Sequence, residues 1–451
     1  MNTPEAPSPP PRPVSHRKGW WIIAATVTPF AALLVILFFS AWVRAGRVLD
    51  VQRKAVPERV AALRSQRVLR PNLFDPAEEG NAWELETRAL EALAALPAED
   101  LEGFPSFSGD EHPNPDPAKI ESTLKKIRPQ IEDLKHALRR RWVEPNYRYE
   151  EHVGLKMPHL SQAIRMGKLL RDGAVYLHGE GKLNEAVDFI VLGLGLADHI
   201  VVKGSLVPGM VGIVVRSCIH EALRKILAAH HLDTASLQRL ARTLDLLESA
   251  EPNLNECLRV DDLFTRLVIL DLVDHQLKGV GDFTAGASFR HWFSLRIMMA
   301  ESVEAQDRFM EGVERVSVLP LWERPAAGRD VLAPFEHHPT AIHALMLPQL
   351  GRAWRNAAEC SMEHKLARLA VALAMHQAEH GTYPAKLADL VPRYLSTLTI
   401  DPYAGQPFGY SVTAGAAVVY SFGEDRDDDG GRPVPDDDID GDVVWTVKRL
   451  K

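Results

Sequence analysis

The 451-residue chain has little cysteine, no excess of basic charge and almost no long apolar runs, and each shortage excludes something. Cys218, Cys257 and Cys360 are odd in number, widely spaced and without a CxxC pair, so neither a disulfide framework nor a thiolate zinc site is indicated. Each falls in an apolar or mixed helical pattern and reads as a small core residue. Lysine and arginine number 52 against 60 acids, which gives nucleic acid no basic face to bind. No GxSxG elbow, Walker loop or dinucleotide fingerprint occurs. The sequence declares no chemical reaction. With 46% hydrophobic and 25% charged residues it is an ordinary packed chain, long enough for two or three domains.

The formal charge of −8 is local. Between Glu424 and Asp442 ten acids stand against Arg426 and Arg432, and the rest of the chain balances 50 basic with 50 acidic residues.

One long apolar run exists, residues 19–43, GWWIIAATVTPFAALLVILFFSAWV, without a charge. At about 1.5 Å per residue, a helix of that length passes a hydrocarbon core of roughly 30 Å with some tilt. Trp20, Trp21 and Trp42 mark its ends as an aromatic belt would, and Pro29 predicts a kink that membrane helices tolerate. The run is too long for a signal-peptide core and no small-x-small cleavage site follows Phe39, so an uncleaved anchor is expected. Arg12, Arg17 and Lys18 on one flank face Arg44, Arg47, Arg53, Lys54 and Arg59 on the other, a slight lean to a cytoplasmic body by a rule that binds long domains weakly.

The periodicity organises the rest as a disordered Pro-rich tail (1–18), juxtamembrane helices (44–103), a linker (104–116), a helical domain (117–353) and a C-terminal module (354–451). Asp116 is the predicted N-cap of a helix with Pro117 at its first position. Ile120, Leu124, Ile127, Ile131, Leu134 and Leu138 form its apolar stripe, with a bend expected at Pro129. A helix from Leu160 ends at Gly179 to Gly181. The next, 183–202, is nearly all apolar, but Asp188, Asp198, His199 and Lys203 interrupt it, so it reads as a core helix rather than a second span. Gly193 and Gly195 in it would admit a close neighbour. Further helices are predicted over 208–229, 234–249, 254–276, 289–316 and 354–380. The pair around 160–200 resembles a tetratricopeptide-type hairpin, which implies a concave partner-binding surface, although no 34-residue repeat recurs and a plain helical core is the competing reading.

Two histidine groups invite a metal reading. His376, Glu379 and His380 spell HxxEH, the inverted zinc-peptidase pattern, but Gly381 ends the helix at once and no third ligand follows. A histidine at a helix C-terminus is already explained by the dipole. Glu336, His337, His338 and His343 cluster in a Pro-bounded loop expected after Asp330, where surface histidines are the default.

After His380 the pattern changes to turns and short strands, Phe408 to Thr413, Ala416 to Phe422 and Val443 to Val447. Asp425, Asp427, Asp429 and Gly430 occupy positions 1, 3, 5 and 6 of the DxDxDG calcium pattern, and Asp436 falls at position 12. Asp436, Asp438, Asp440 and Gly441 begin a second copy whose position 12 is Val447, so these aspartates are expected to complete the first site. Flanking strands exclude an EF-hand. A solvated acidic linker is the alternative, yet Val443-Val444-Trp445 resumes an apolar strand, which requires the loop to close with its charges together. Structural Ca2+ is therefore expected at Asp425, Asp427, Asp429, Asp436 and Asp438.

The stretch from about 366 to 447 resembles the C-terminal globular domain of the type II secretion major pseudopilin. The resemblance lies in Tyr383-Pro384, Leu387, Leu390, Asp401-Pro402-Tyr403, Gly405, Pro407, Tyr410, Tyr420-Ser421, Gly423, Asp425, Gly430-Gly431, Asp438-Ile439 and Trp445, in the family's order, over under a fifth of the chain. It implies an extracytoplasmic, calcium-binding loop, with Asp425 and Asp438 carried over first. The N-terminus departs from that family, since 19–23 (GWWII) lacks the processed helix's glutamate. The expected whole is mainly α: a single-pass bacterial inner-membrane protein with a periplasmic helical bundle or hairpin-type body and a small calcium-stabilised α+β module. Its expected role is that of a scaffold or partner-binding protein, with a membrane-anchored metal-dependent hydrolase as the alternative.

Overall fold

The structure, a computed structural model, describes residues 17–101, 104, 116–229, 232–249, 254–274, 289–320, 323–337, 341–413, 415–433 and 441–448. Among them are eleven α-helices and six short strands, so the chain is mainly helical with small sheets. It divides into two compact units, residues Met1–Lys54 with Ile269–Glu304, and Ala55–Val268 with Ala305–Lys451. Each is described by itself.

In the first unit, helix α1 (Arg17–Ser65) begins and runs unbroken through the apolar stretch and through Pro29. Ile36, Leu37, Phe38 and Phe39 are all more than half exposed. Beyond them the polar groups find partners: Arg44 donates to Glu304 at 2.7 Å and Arg53 to Asp274 at 2.5 Å. The Arg296 guanidinium lies 4.5 Å from the centre of the Trp42 ring. Exposed ion pairs of this kind contribute about 0–1 kcal/mol each, so they orient the helices more than they stabilise them.

The second unit opens with a three-stranded sheet that local sequence pattern does not predict. Strand β3 (Arg140–Val143) lies between β1 (Val68–Leu69), antiparallel to it, and β2 (Glu78–Asn81), parallel to it. Strands of two and four residues carry too little alternation to be read. Helices α2 (Trp83–Ala94) and α3 (Pro117–Ala137) follow, and the Asp116 side chain accepts from the Ala118 N–H at 3.0 Å, the cap the sequence predicts.

The core is built on α4 (His159–Gly179), α5 (Leu183–Ile200) and α6 (Leu206–Ala229), which pack on one another. All of α5 from Phe189 to Ile200 is buried, Asp198 and His199 included. The expected close approaches are present: a Cβ on Gly193 would lie 2.3 Å from Ile219, and one on Gly195 2.5 Å from Leu138. Helix α6 is long and apolar enough to cross a membrane by length and composition, yet 56% of its most apolar window is buried within the protein, as suits a core helix.

Helices α7 (Thr234–Ser249), α8 (Leu254–Asp274), α9 (Phe289–Ser317), α10 (Arg324–His337) and α11 (Ala341–His380) complete the helical part. The loop expected after Asp330 is instead the end of α10, whose second residue, Pro325, has the fixed φ that suits a first helical turn. Helix α11 starts thirteen residues before the expected Trp354, with Pro348 and Gly351 inside it. It packs on α6 and α7 and also on the C-terminal sheet. That sheet has the order β4 (Gly409–Val412), β5 (Ala416–Ser421), β6 (Val443–Lys448), all antiparallel. Val419 pairs with Trp445 and Ala417 with Val447, and all four are buried, so one face of the sheet forms core with α11.

Candidate metal centre

The acidic loop connects β5 to β6, so its ends are fixed by neighbouring strands. Below it, Asp401 is fully buried and accepts from the Tyr403 and Phe422 N–H groups at 2.9 Å and from the Ser421 hydroxyl at 2.9 and 3.0 Å. Burial raises the Asp401 carboxyl above its ordinary value, and these donors oppose the rise. The turn from Asp401 is thereby locked to the end of β5. Trp445 is fixed on the opposite side by an indole N–H donated to Glu363 of α11 at 2.7 Å, and the Tyr383 hydroxyl donates to the Val447 carbonyl at 2.7 Å.

Within the loop the backbone folds back through left-handed residues, Arg426 at φ +68° and Gly430 at φ +70°, the latter at the sixth position where the calcium pattern requires a tight turn. The Gly441 N–H donates to Asp425 at 2.9 Å, joining the two ends of the loop. One carboxylate oxygen each from Asp425, Asp427 and Asp429 then lie within 4.8 Å of one another. Ligands on opposite sides of a calcium ion, at about 2.4 Å each, are about 4.8 Å apart, so three oxygens this close fit one coordination sphere. They supply half or less of the six to eight oxygens that calcium takes. The intervening Asp428 turns the other way, accepting from the Tyr420 hydroxyl at 3.0 Å and the Gly430 N–H at 2.9 Å.

A fourth acid, Asp442, was not singled out by the spacing. It is buried, and one of its oxygens accepts the Gly431 N–H at 2.7 Å while the other has no hydrogen-bond donor. Burial raises its carboxyl above the ordinary value, and Asp428, Asp429 and Asp425 raise it further. One Asp429 oxygen is likewise buried without a donor, the other taking Arg432 at 2.7 Å. Three convergent carboxylates, one of them with a donorless oxygen, together with the donorless oxygen of a fourth acid, Asp442, are the chemistry of a hard-cation site. The signal for Asp442 in the sequence is its place directly before the apolar strand, which pins it to the sheet. Asp436 and Asp438 lie outside the described residues.

The other metal readings find no such convergence. The His376 and His380 rings stack at 4.3 Å, with Nδ1 of each on a backbone carbonyl, Thr382 and His376, at 2.8 and 3.1 Å. Glu379 faces Arg393 and the Tyr394 hydroxyl. Among the described residues, the aspartate triad is the one group of three or more potential ligands drawn together. Glu336 and His337 are the last turn of α10 and His343 is in the first turn of α11, on separate helices rather than in one loop, and His338 lies outside the described residues. Cys257 and Cys360 are buried and Cys218 half-buried, and none of the three is in a disulfide.

Compared with known proteins, the chain matches no family model, and neither a curated protein nor a solved structure resembles it significantly.

Proposed function

We propose that this chain is a non-catalytic scaffold of the bacterial cell envelope, anchored in the inner membrane by residues 19–43, with its body outside the cytoplasm and a C-terminal module closed by a structural calcium ion. The observation that carries the reading is the convergence of Asp425, Asp427 and Asp429 beside the donorless oxygens of Asp429 and Asp442. A free cation there offsets the mutual repulsion of the loop, and its binding energy adds to the stability of the fold. Calcium of the required concentration is a feature of the outside of the cell, which agrees with the pseudopilin-like pattern of the module and sets aside the slight positive-inside lean.

The exposed apolar stretch of α1 at Ile36 to Phe39 supports the anchor, since lipid is the natural cover for such a run. A cleft of about 710 Å³ along α3, α4 and α5, where Lys125, Arg128 and Lys182 stand beside Glu121, Glu132 and Glu185, supports a partner-binding role for the helical body.

The full chain, purified in detergent, should melt at a higher temperature in millimolar calcium than in chelator, and the double change D425A/D427A should remove the difference. No difference, or an equal one in the double variant, refutes the site. A reporter fused after Lys451 should be active outside the cytoplasm; activity confined to the cytoplasm refutes the topology.

A further inference from the structure

A separate feature lies inside the helical core. Arg216 of α6 is 4% exposed, and among the described residues its guanidinium makes no hydrogen bond. Its nearest carboxylate, Asp198, stands 3.8 Å away and is closer to Arg70, at 3.3 Å; neither Asp198 oxygen has a hydrogen-bond donor. A guanidinium carries five N–H donors, and a buried charge that leaves them unmet costs several kcal/mol unless something else takes them.

Arg216 lines a cavity of about 50 Å³ between α5, α6, α8 and α11, and it is the one charged residue in that lining. Elsewhere the walls are small or apolar: Ala197, Gly209, Gly212, Ala357 and the thiol residues Cys257 and Cys360. The helices cannot close the gap further, because a Cβ on Gly212 would already meet the Ala197 carbonyl at 2.8 Å and Val201 at 2.4 Å. One water needs about 10–15 Å³ of such space, so the cavity has room for three or four non-hydrogen atoms.

The surroundings favour an anion. His220 and His364, with rings 5.6 Å apart, are buried close by, and both are held neutral, first by burial and then by cationic neighbours that include Arg216 and, for His220, Arg224. Both ring nitrogens of His220 lack partners. The acids of this layer are otherwise engaged, Glu363 with Trp445 and Arg224, and Asp245 and Glu248 with Arg368.

We propose that this cavity is a binding site for one small planar monoanion, a carboxylate or nitrate of three or four heavy atoms, held by the Arg216 guanidinium. A planar anion presents two oxygens to the fork of N–H donors and leaves its remaining atoms against the alanine, glycine and thiol walls. The proposal is independent of the calcium loop.

The test uses the full chain in detergent, with formate as the probe and gluconate, too large for the cavity, as the control at equal ionic strength. Formate should raise the melting temperature saturably and gluconate should not. At a formate concentration ten times its Kd, alkylation of Cys257 and Cys360 by a small thiol reagent should slow about tenfold while Cys218, outside the lining, keeps its rate. Ala357→Leu, which leaves Arg216 and Asp198 in place and fills the space with a larger lining side chain, should abolish both effects. Absence of a saturable formate effect, the result of a cavity that holds only water, overturns the proposal. So does an undiminished effect in A357L, or equal effects of formate and gluconate.

Discussion

The acidic loop and the polar layer inside the helical core are both short of hydrogen-bond partners, but for opposite reasons. In the loop, carboxylates of one sign are brought together at the rim of a small sheet, and the partner proposed for them is a cation. In the core, charges of both signs are present, Asp198 with Arg70 at 3.3 Å and Arg216 at 3.8 Å, yet neither Asp198 oxygen receives a hydrogen bond. Repulsion at a surface can be relieved by solvent, salt or a bound ion, each at modest cost. In an interior the same deficit is unrelieved unless the structure holds something in the gap. A surface acid cluster is thus a conditional stabiliser, and a buried polar layer is a standing cost that the surrounding apolar helices offset.

The comparison is broken most severely at Asp401, which combines the two situations: an acid under the loop, fully buried and fully satisfied. Asp401→Ala strands the Tyr403 and Phe422 N–H groups and the Ser421 hydroxyl, and should lower stability by about 3 kcal/mol or more, read from the denaturation midpoint. Removing the proposed calcium should have the next largest effect. At a concentration about 100 times the Kd the ion contributes about 2.7 kcal/mol, and Asp429→Asn should lose most of that difference, measured as the gap between melts with calcium and with chelator.

Acid sharpens the contrast. Burial, with Arg216 and Arg224 nearby, pushes the His220 imidazole down to about 3 from an ordinary 6.5. The unfolded chain therefore takes up this proton first as pH falls. Stability is complete above pH 6.5 and is lost progressively down to about pH 3, at up to about 1.4 kcal/mol per pH unit from this one group. His220→Phe should flatten that part of the stability curve measured by denaturation at successive pH values. At neutral pH the same change should cost little or stabilise by about 1 kcal/mol, because it removes two orphaned nitrogens, whereas His364→Phe, which breaks the bond from its ring to the Leu244 carbonyl at 3.0 Å, should destabilise by about 1 kcal/mol. The smallest effect is expected at Glu379: Glu379→Gln, on an exposed helix end, should leave the melting temperature and the calcium response unchanged.

Much of the fold was legible in local pattern. The cap at Asp116, the hairpin of α4 and α5, and the three C-terminal strands all follow from spacing that repeats within a few residues. The sheet β1-β3-β2 was not legible, since its strands are two to four residues long and β3 is separated by a whole helical hairpin from the others. Helix α10 and the early start of α11 were missed because proline reads as a breaker, while Pro325 sits where a helix begins and Pro348 is carried by a helix anchored elsewhere by packing. In the candidate site, the alternation Asp425, Asp427, Asp429 was visible as a motif, but Asp442 was not, because its role depends on strand β6 bringing it back to Gly431.

By itself, then, the sequence determined the mainly helical character, the uncharged run at 19–43 and the place where ten acids are concentrated, because periodicity, length and charge are properties of neighbours along the chain. Only the tertiary structure decided which carboxylates converge, that His376, Glu379 and His380 are occupied with local partners, and that Arg216 stands without a hydrogen bond beside a cavity. Those outcomes depend on distances between residues far apart in sequence, and the packing of α5, α6, α8 and α11 sets them.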